Sequence, residues 1–182
     1  MSKVQLQGNA SGTGIFTIAS PNSNTDRTLT LPDNTGTILT GSSAIQKSQL
    51  PAGTVLQVVS GNQTTPTSIA NTGAYIATPL QATITPISSS SRIVIIYSFQ
   101  WYATGAIDST AAIYRNGNIV FNGTTKVQIT GINQTVAASA VDSPASTSAL
   151  TYRIYMQNGG AGSLTYNIDN YPTSLILMEI AG

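Results

Sequence analysis

The chain has 182 residues, 41% hydrophobic and only 7% charged, with a formal net charge of +1, against roughly 25% charge in an ordinary soluble domain. So weak a field excludes long-range attraction to nucleic acid or to an anionic membrane surface. Cysteine and histidine are both absent, which excludes disulfides, thiolate chemistry, Cys/His zinc sites and any Ser-His-Asp arrangement.

The missing polarity is supplied by Ser, Thr, Asn and Gln, which hold water through neutral hydrogen bonds. The opening 1-MSKVQLQGNASG-12 lacks the charged-then-apolar pattern of a signal peptide. No apolar run approaches the ~20 residues that span a bilayer. The length suits one ordinary core with a small appendage.

Hydrophobic periodicity is two nearly everywhere, which predicts an all-β protein. In residues 1–41 short strands are expected at 4–7, 14–19, 27–31 and 36–40. The segment 29-LTLPDNTGTILT-40 reads as a hairpin: Pro32 stiffens the exit from the first strand, Asp33 and Asn34 suit the bend, and Gly36 accepts a positive φ. The apolar residues available are Val4, Leu6, Ile15, Phe16, Ile18, Leu29, Leu31, Ile38 and Leu39. Burying each stabilises by ~1.5–3 kcal/mol. Ordering the backbone costs ~1–2 kcal/mol per residue. This unit therefore needs another surface to fold against, and copies of itself are the simplest candidate. Ile18, Leu29, Leu31, Ile38 and Leu39 would form that attachment and trimer core.

Residues 42–52, SSAIQKSQLPA, allow a helical turn capped by Ser42 or Ser43 and ended by Pro51, and read as a linker or short neck. Residues 53–182 form the main domain, with strands expected at 54–60, 74–78, 80–87, 92–102, 109–115, 118–122, 132–141, 149–157, 163–169 and 174–181. That spacing fits an antiparallel β-sandwich or jelly roll. Asn116-Gly117, between two strands, is the favoured pair for a type I′ turn. A second turn is read at 158-NGGAG-162.

Two strands are apolar on both faces. In 92-RIVIIYSFQWY-102 the core face is Ile93, Ile95, Tyr97, Phe99 and Trp101, and Val94 and Ile96 lie opposite. In 174-SLILMEIA-181 Leu175 and Leu177 share one face, and Ile176, Met178 and Ile180 the other. A sandwich normally leaves one face of each sheet wet. The second faces (Val94, Ile96, Ile176, Met178, Ile180) are expected either to form a subunit interface or to be covered within the chain.

Candidate chemistry is sparse. Asp108, Asp142 and Asp169 lie near strand ends, where a hydrolytic pair or a calcium site would sit. Asp also favours such turns for local backbone capping, and no calcium-loop spacing is present. Glu179 alternates with Leu175 and Leu177 and so faces the core. It is expected to pair with a cation (Arg92, Arg115 or Arg153) or to reach solvent. Among the aromatics, Tyr102 and Tyr155 fall off the core parity; Tyr114 is counted with the core. No catalytic, metal or cofactor residue is assigned.

The phrase 27-RTLTLPDNTGTILT-40, preceded by 14-GIFTIASPNSNTD-26, resembles the N-terminal module of bacteriophage fibre proteins, and 174-SLILMEIAG-182 resembles the last strand of fibre heads. The resemblance implies a virion protein, usually a homotrimer, whose N-terminus docks on another virion protein while a β-sandwich head meets a host glycan or protein. No enzymatic activity and no cofactor are expected, because the chain is short, lacks histidine and has few carboxylates. The alternative is a capsid-decorating or head-fibre protein; a tail-borne polysaccharide depolymerase is a weaker one. The residues chosen for receptor contact, by turn position and polarity, are Tyr102, Asp108, Arg115, Asn116 and Asn158.

Overall fold

The computed structural model describes residues 8, 10–15, 17–19, 22–28, 30, 33, 35, 45, 50–104, 108–127, 131, 133–160, 162–167 and 171–182, with side chains at all of these except 124–127. The chain divides into two units, Met1–Gly41 and Ser42–Gly182. Among the described residues of the first unit there is no strand. The strand expected at 14–19 is not formed at its described positions. Ile15 is 93% exposed and Ile18 72%, so these residues have no surface to pair against. Leu29, Leu31, Ile38 and Leu39 lie outside the described residues, as do 42–44 and 46–49 of the expected helical turn at 42–52; its described members, Ile45 and Leu50–Ala52, are not helical.

The second unit contains β1 (Val55–Gln63), β2 (Thr67–Ile69), β3 (Tyr75–Ile84), β4 (Arg92–Ala103), β5 (Ser109–Arg115), β6 (Asn118–Val127), β7 (Asn133–Asp142), β8 (Leu150–Asn158), β9 (Leu164–Tyr166) and β10 (Thr173–Ile180). One sheet runs β1-β10-β4-β9-β2, with β7 on the other side of β4; the second runs β3-β8-β5-β6. Every pairing is antiparallel. The principal pairs are nested: β5 with β6, β4 with β7, β3 with β8 and β1 with β10. Such nesting, folded over into two four-strand sheets, is the jelly-roll arrangement. The short β2 and β9 pair with each other and extend the first sheet.

Period-two alternation places the core between the sheets. Ile93, Ile95, Tyr97, Phe99 and Trp101 are buried, as are Leu175 and Leu177 beside them. They face Leu80, Ile84, Ile113, Tyr152, Ile154 and Met156 of the second sheet in one cluster. Phe99 is its aromatic centre, with ring centroids 5.6 Å from Tyr97, 5.9 Å from Trp101 and 5.3 Å from Tyr166.

Three details depart from the sequence reading. The strands expected at 74–78 and 80–87 are one strand, β3, bulged between Ala77 and Gln81. Pro79 cannot donate to a ladder, but β3 is an edge strand, where proline is tolerated. The buried Thr78 hydroxyl bridges the bulge, donating to the Ile154 carbonyl at 2.8 Å and accepting from the Leu80 amide at 3.3 Å. Second, the three-residue β2 has no counterpart among the expected strands, because so short a segment carries no period.

Glu179 is the third departure. It does face the core, fully buried, but its partners are not cations. Its carboxylate accepts from the Ile87 amide at 2.7 Å and from Gln57 Nε2 at 2.5 Å. Burial pushes its carboxyl up. The hydrogen bonds, from Gln57 first and from backbone amides including that of Ile87, outweigh burial and hold it below the ordinary 4.5.

Candidate functional site

The five residues assigned to receptor contact do not converge. Six residue steps along β5 span about 20 Å, and they separate two groups. At one end, Asn158 pairs with Ser109 across β5–β8, and the Gly159 amide donates to the Asp108 carbonyl at 3.0 Å. Tyr102, half-buried, stands on β4 between Asn133 and Thr165. Asn158 is buried and organises its own turn: Nδ2 donates to the Gly162 carbonyl at 3.0 Å, and Oδ1 accepts from the Gly160 amide at 3.3 Å.

At the other end, Arg115 and Asn116 close the β5–β6 hairpin. Asn116 (φ 49°) and Gly117 (φ 82°) both adopt the left-handed conformation that a type I′ turn requires. Asn116 Oδ1 accepts from the Thr151 amide at 2.8 Å and so ties the turn to β8. Arg115 ties the sheets together. Its Nη1 lies 2.5 Å from Asp142 Oδ2 at the end of β7, and the Tyr152 hydroxyl donates to the same oxygen at 2.7 Å. Burial lowers the Arg115 guanidinium, but Asp142 and Tyr152 outweigh it and raise it. Burial, then the bond to Asp142, pushes the Tyr152 phenol well up. Asp142 is thus engaged in a structural bridge. Among the described residues, no three His, Cys, Asp or Glu side chains gather to hold a metal ion.

Two sheet faces are better defined than the loops. On the outer face of the first sheet the register aligns Val58, Met178, Val94 and Val141 in one row across four strands. The next row holds Ser60, Ile176, Ile96 and Ser139. Val58 is 56%, Val141 52% and Ile96 38% exposed, and Val94, Ile176, Met178 and Ile180 are half-buried. The face therefore presents an aliphatic strip, bordered by Ser60 and Ser139 on one side and by Arg92, beside Ile180, on the other.

The outer face of the second sheet is aromatic. In 109-STAAIYR-115 the core takes Ile113, so alternation sends Ala112 and Tyr114 outward. On β8 it sends Arg153, Tyr155 and Gln157 outward. Tyr155 is flanked by Ala77 on one neighbour and Ala112 on the other. These small side chains leave room for the ring to lie along the sheet. Tyr155 stacks on Tyr114 with ring centroids 3.8 Å apart and planes 21° apart, and Tyr75 stands 6.1 Å from Tyr114, tilted by 60°. The Tyr75 hydroxyl donates to Asn122. Burial, then Tyr75 and Tyr155, raises the Tyr114 phenol.

Tyr155 also lines a shallow depression with Gln81, Asn116, Thr151 and Arg153. Arg153 donates to Gln81 Oε1, and its buried Nε has no hydrogen-bond partner. Alternation in the sequence marks Tyr155 as lying off the core, whereas Tyr114 and Tyr75 are found on the outer face only in the structure. The parity of Tyr114 against Ile113 was the signal for the former; the meeting of β3 with β8 leaves no local trace.

No protein-family profile matches the chain, and no curated protein matches it. Among solved structures, it is similar to a chain in the structure of infectious bursal disease virus Gx strain (15% identity) and to one in the VP2 subviral particle of infectious bursal disease virus (16% identity). Both have a TM-score of 0.39 and cover 69% of this chain. The match spans 36% and 37% of those chains, little more than a third of their length. The jelly-roll assignment rests on the strand pairing, independently of this likeness. Among the described residues no helix is long and apolar enough to cross a membrane.

Proposed function

We propose that the chain is a virion structural protein: a short phage tail or baseplate fibre, homotrimeric, with 1–41 as the attachment module, 42–52 as a neck and the β-sandwich head meeting the host surface. The observation that carries this reading is the aliphatic strip of Val58, Met178, Val94, Val141, Ile96 and Ile176 on the outside of a sandwich that is only 7% charged. Contiguous apolar surface of this kind marks an interaction site. A second copy of the same aliphatic strip is its simplest complement. The exposed Ile15 and Ile18 support the same reading for the first unit. Their burial requires another surface, and neighbouring copies provide it.

In this reading the protein needs no catalytic group and no cofactor. It works by presenting a rigid surface. Sedimentation equilibrium at low micromolar concentration tests the assembly: the expected mass is three times the 18.8 kDa of one chain. A single monomeric species with a folded first unit overturns it.

A capsid-decorating role is the second reading, favoured by the jelly-roll strand order, an arrangement that capsid and lectin domains both use. Gold-labelled antibody on purified particles separates the two. Label on the tail supports the fibre, and label distributed over the shell supports decoration.

A further inference from the structure

We propose that the outer face of the β3-β8-β5-β6 sheet is a saccharide-binding platform, with the stacked Tyr155–Tyr114 pair as its floor and Arg153, Gln81 and Asn116 as its polar rim. The inference rests on the host-recognition reading above and gives it a place and a ligand class. It moves recognition from the loops, where the candidate residues fall at opposite ends of a strand, to a face where suitable groups converge.

Three observations support it. The first is that two tyrosines lie stacked, ring centroids 3.8 Å apart, on the outside of a sheet, where the small Ala112 is the cross-strand neighbour of Tyr155. Outward aromatic rings hold an apolar, electron-rich surface in water. A pyranose ring presents a face of C–H bonds, weakly positive, that complements it. A second is the rim beside Tyr155, made of an amide from Gln81, an amide from Asn116, the Thr151 hydroxyl and the Arg153 guanidinium. Neutral amides and hydroxyls, with a single cation, match the hydroxyls of a sugar better than the charges of a phosphate or an acidic peptide.

The third is Arg153 itself. A guanidinium carries five donors. Among the described residues it bonds only Gln81, and its buried Nε is unpartnered. Unspent donors beside an aromatic wall are what a ring oxygen or a hydroxyl would engage. The single cation also predicts tolerance of one carboxylate on the ligand, as in a uronic acid. The depression is shallow and open, which fits the side of a polymer chain rather than an enclosed small molecule.

The test applies the full-length protein to an array of hexose oligosaccharides, neutral and uronic-acid-containing, and measures the affinity of the strongest binder by calorimetry. Adsorption of labelled protein to a panel of bacterial strains is scored in parallel. At least one oligosaccharide is expected to bind. Tyr155→Ala should weaken it about tenfold or more, a change on the scale of one lost aromatic contact and its packing. Tyr155→Phe should hold it within about threefold, because the ring is kept. Arg153→Gln should weaken it with an unchanged melting curve, and Tyr171→Ala, an exposed tyrosine elsewhere, should leave it alone. Equal affinity in Tyr155→Ala and wild type overturns the platform, as does an array with no bound oligosaccharide. Adsorption to cells without any array binding overturns the platform while host recognition stands, through a protein receptor. Array binding lost in Tyr155→Ala, with no adsorption to any strain, keeps the platform and removes the host-recognition reading.

Discussion

Glu179 shows how a buried charge is tolerated here. Hydrogen bonds to a charged group contribute roughly 1.5–3 kcal/mol each, and the Glu179 carboxylate receives one from Gln57 and one from the Ile87 amide. Because its folded pKa is lowered, its stabilisation is fully present above the unfolded value and disappears as pH falls through the folded one. Glu179→Ala is expected to cost about 2–4 kcal/mol at pH 7. The gap to wild type, read from urea unfolding, should narrow below about pH 4. A gap constant across that range would show that the charge is not the cause. Tyrosine titration gives the opposite signature. Burial pushes the Tyr166 phenol up to about 12. Its contribution is therefore present below the ordinary 10.0 and is lost as pH rises above it, so stability should fall at alkaline pH. At the hairpin, Gly117 holds φ 82°. Gly117→Ala should destabilise by about 1–2 kcal/mol, measured by thermal melting.

At the level of elements, a glycine lets the edges of the two sheets meet backbone to backbone. A Cβ on Gly61 of β1 would lie 1.9 Å from the Gln81 carbonyl oxygen on β3. The obstacle is backbone, which a rotamer change cannot remove. Gly61→Ala should thus force the β1 and β3 edges apart, costing about 2–4 kcal/mol in chemical denaturation. An unchanged midpoint would mean that the two edges separate freely. The same edge explains Pro79: a residue without an amide donor is harmless where the bulge already breaks the ladder and Thr78 bridges it. The inter-sheet bridge of Arg115, Asp142 and Tyr152 acts at the opposite edge, where β7 meets the second sheet.

For the whole molecule, the decisive quantity is the state of association. Met178 sits in the middle of the aliphatic row, between Val58 and Val94, yet is only half-buried in one chain. A charge there should be affordable for a lone head and prohibitive inside an apolar interface. Met178→Asp is expected to convert the proposed trimer to monomers by sedimentation while the head keeps a cooperative melt. Retention of the trimer would exclude this face from the interface. With so few charges in the chain, the proposed assembly should be nearly indifferent to salt from about 0.05 to 1 M.

Much of the head could be read from local pattern. Alternation in 92–102 and 174–181 identifies Ile93, Tyr97, Phe99, Leu175 and Leu177 as core, because a strand must put successive side chains on opposite faces. Asn116-Gly117 declares its turn, because few other pairs accept two positive φ values in succession. The nested order of the sheets, the bonds that hold Glu179 and the stacking of Tyr114 on Tyr155 could not be read this way. Each joins residues distant in sequence, and their meeting depends on which strands pair and in what register. Period-two patterning therefore determined the strands and their inward faces. Only the tertiary structure decided which outward faces became a continuous aliphatic strip and which an aromatic platform, because a surface is assembled across strands and no single strand encodes its neighbours.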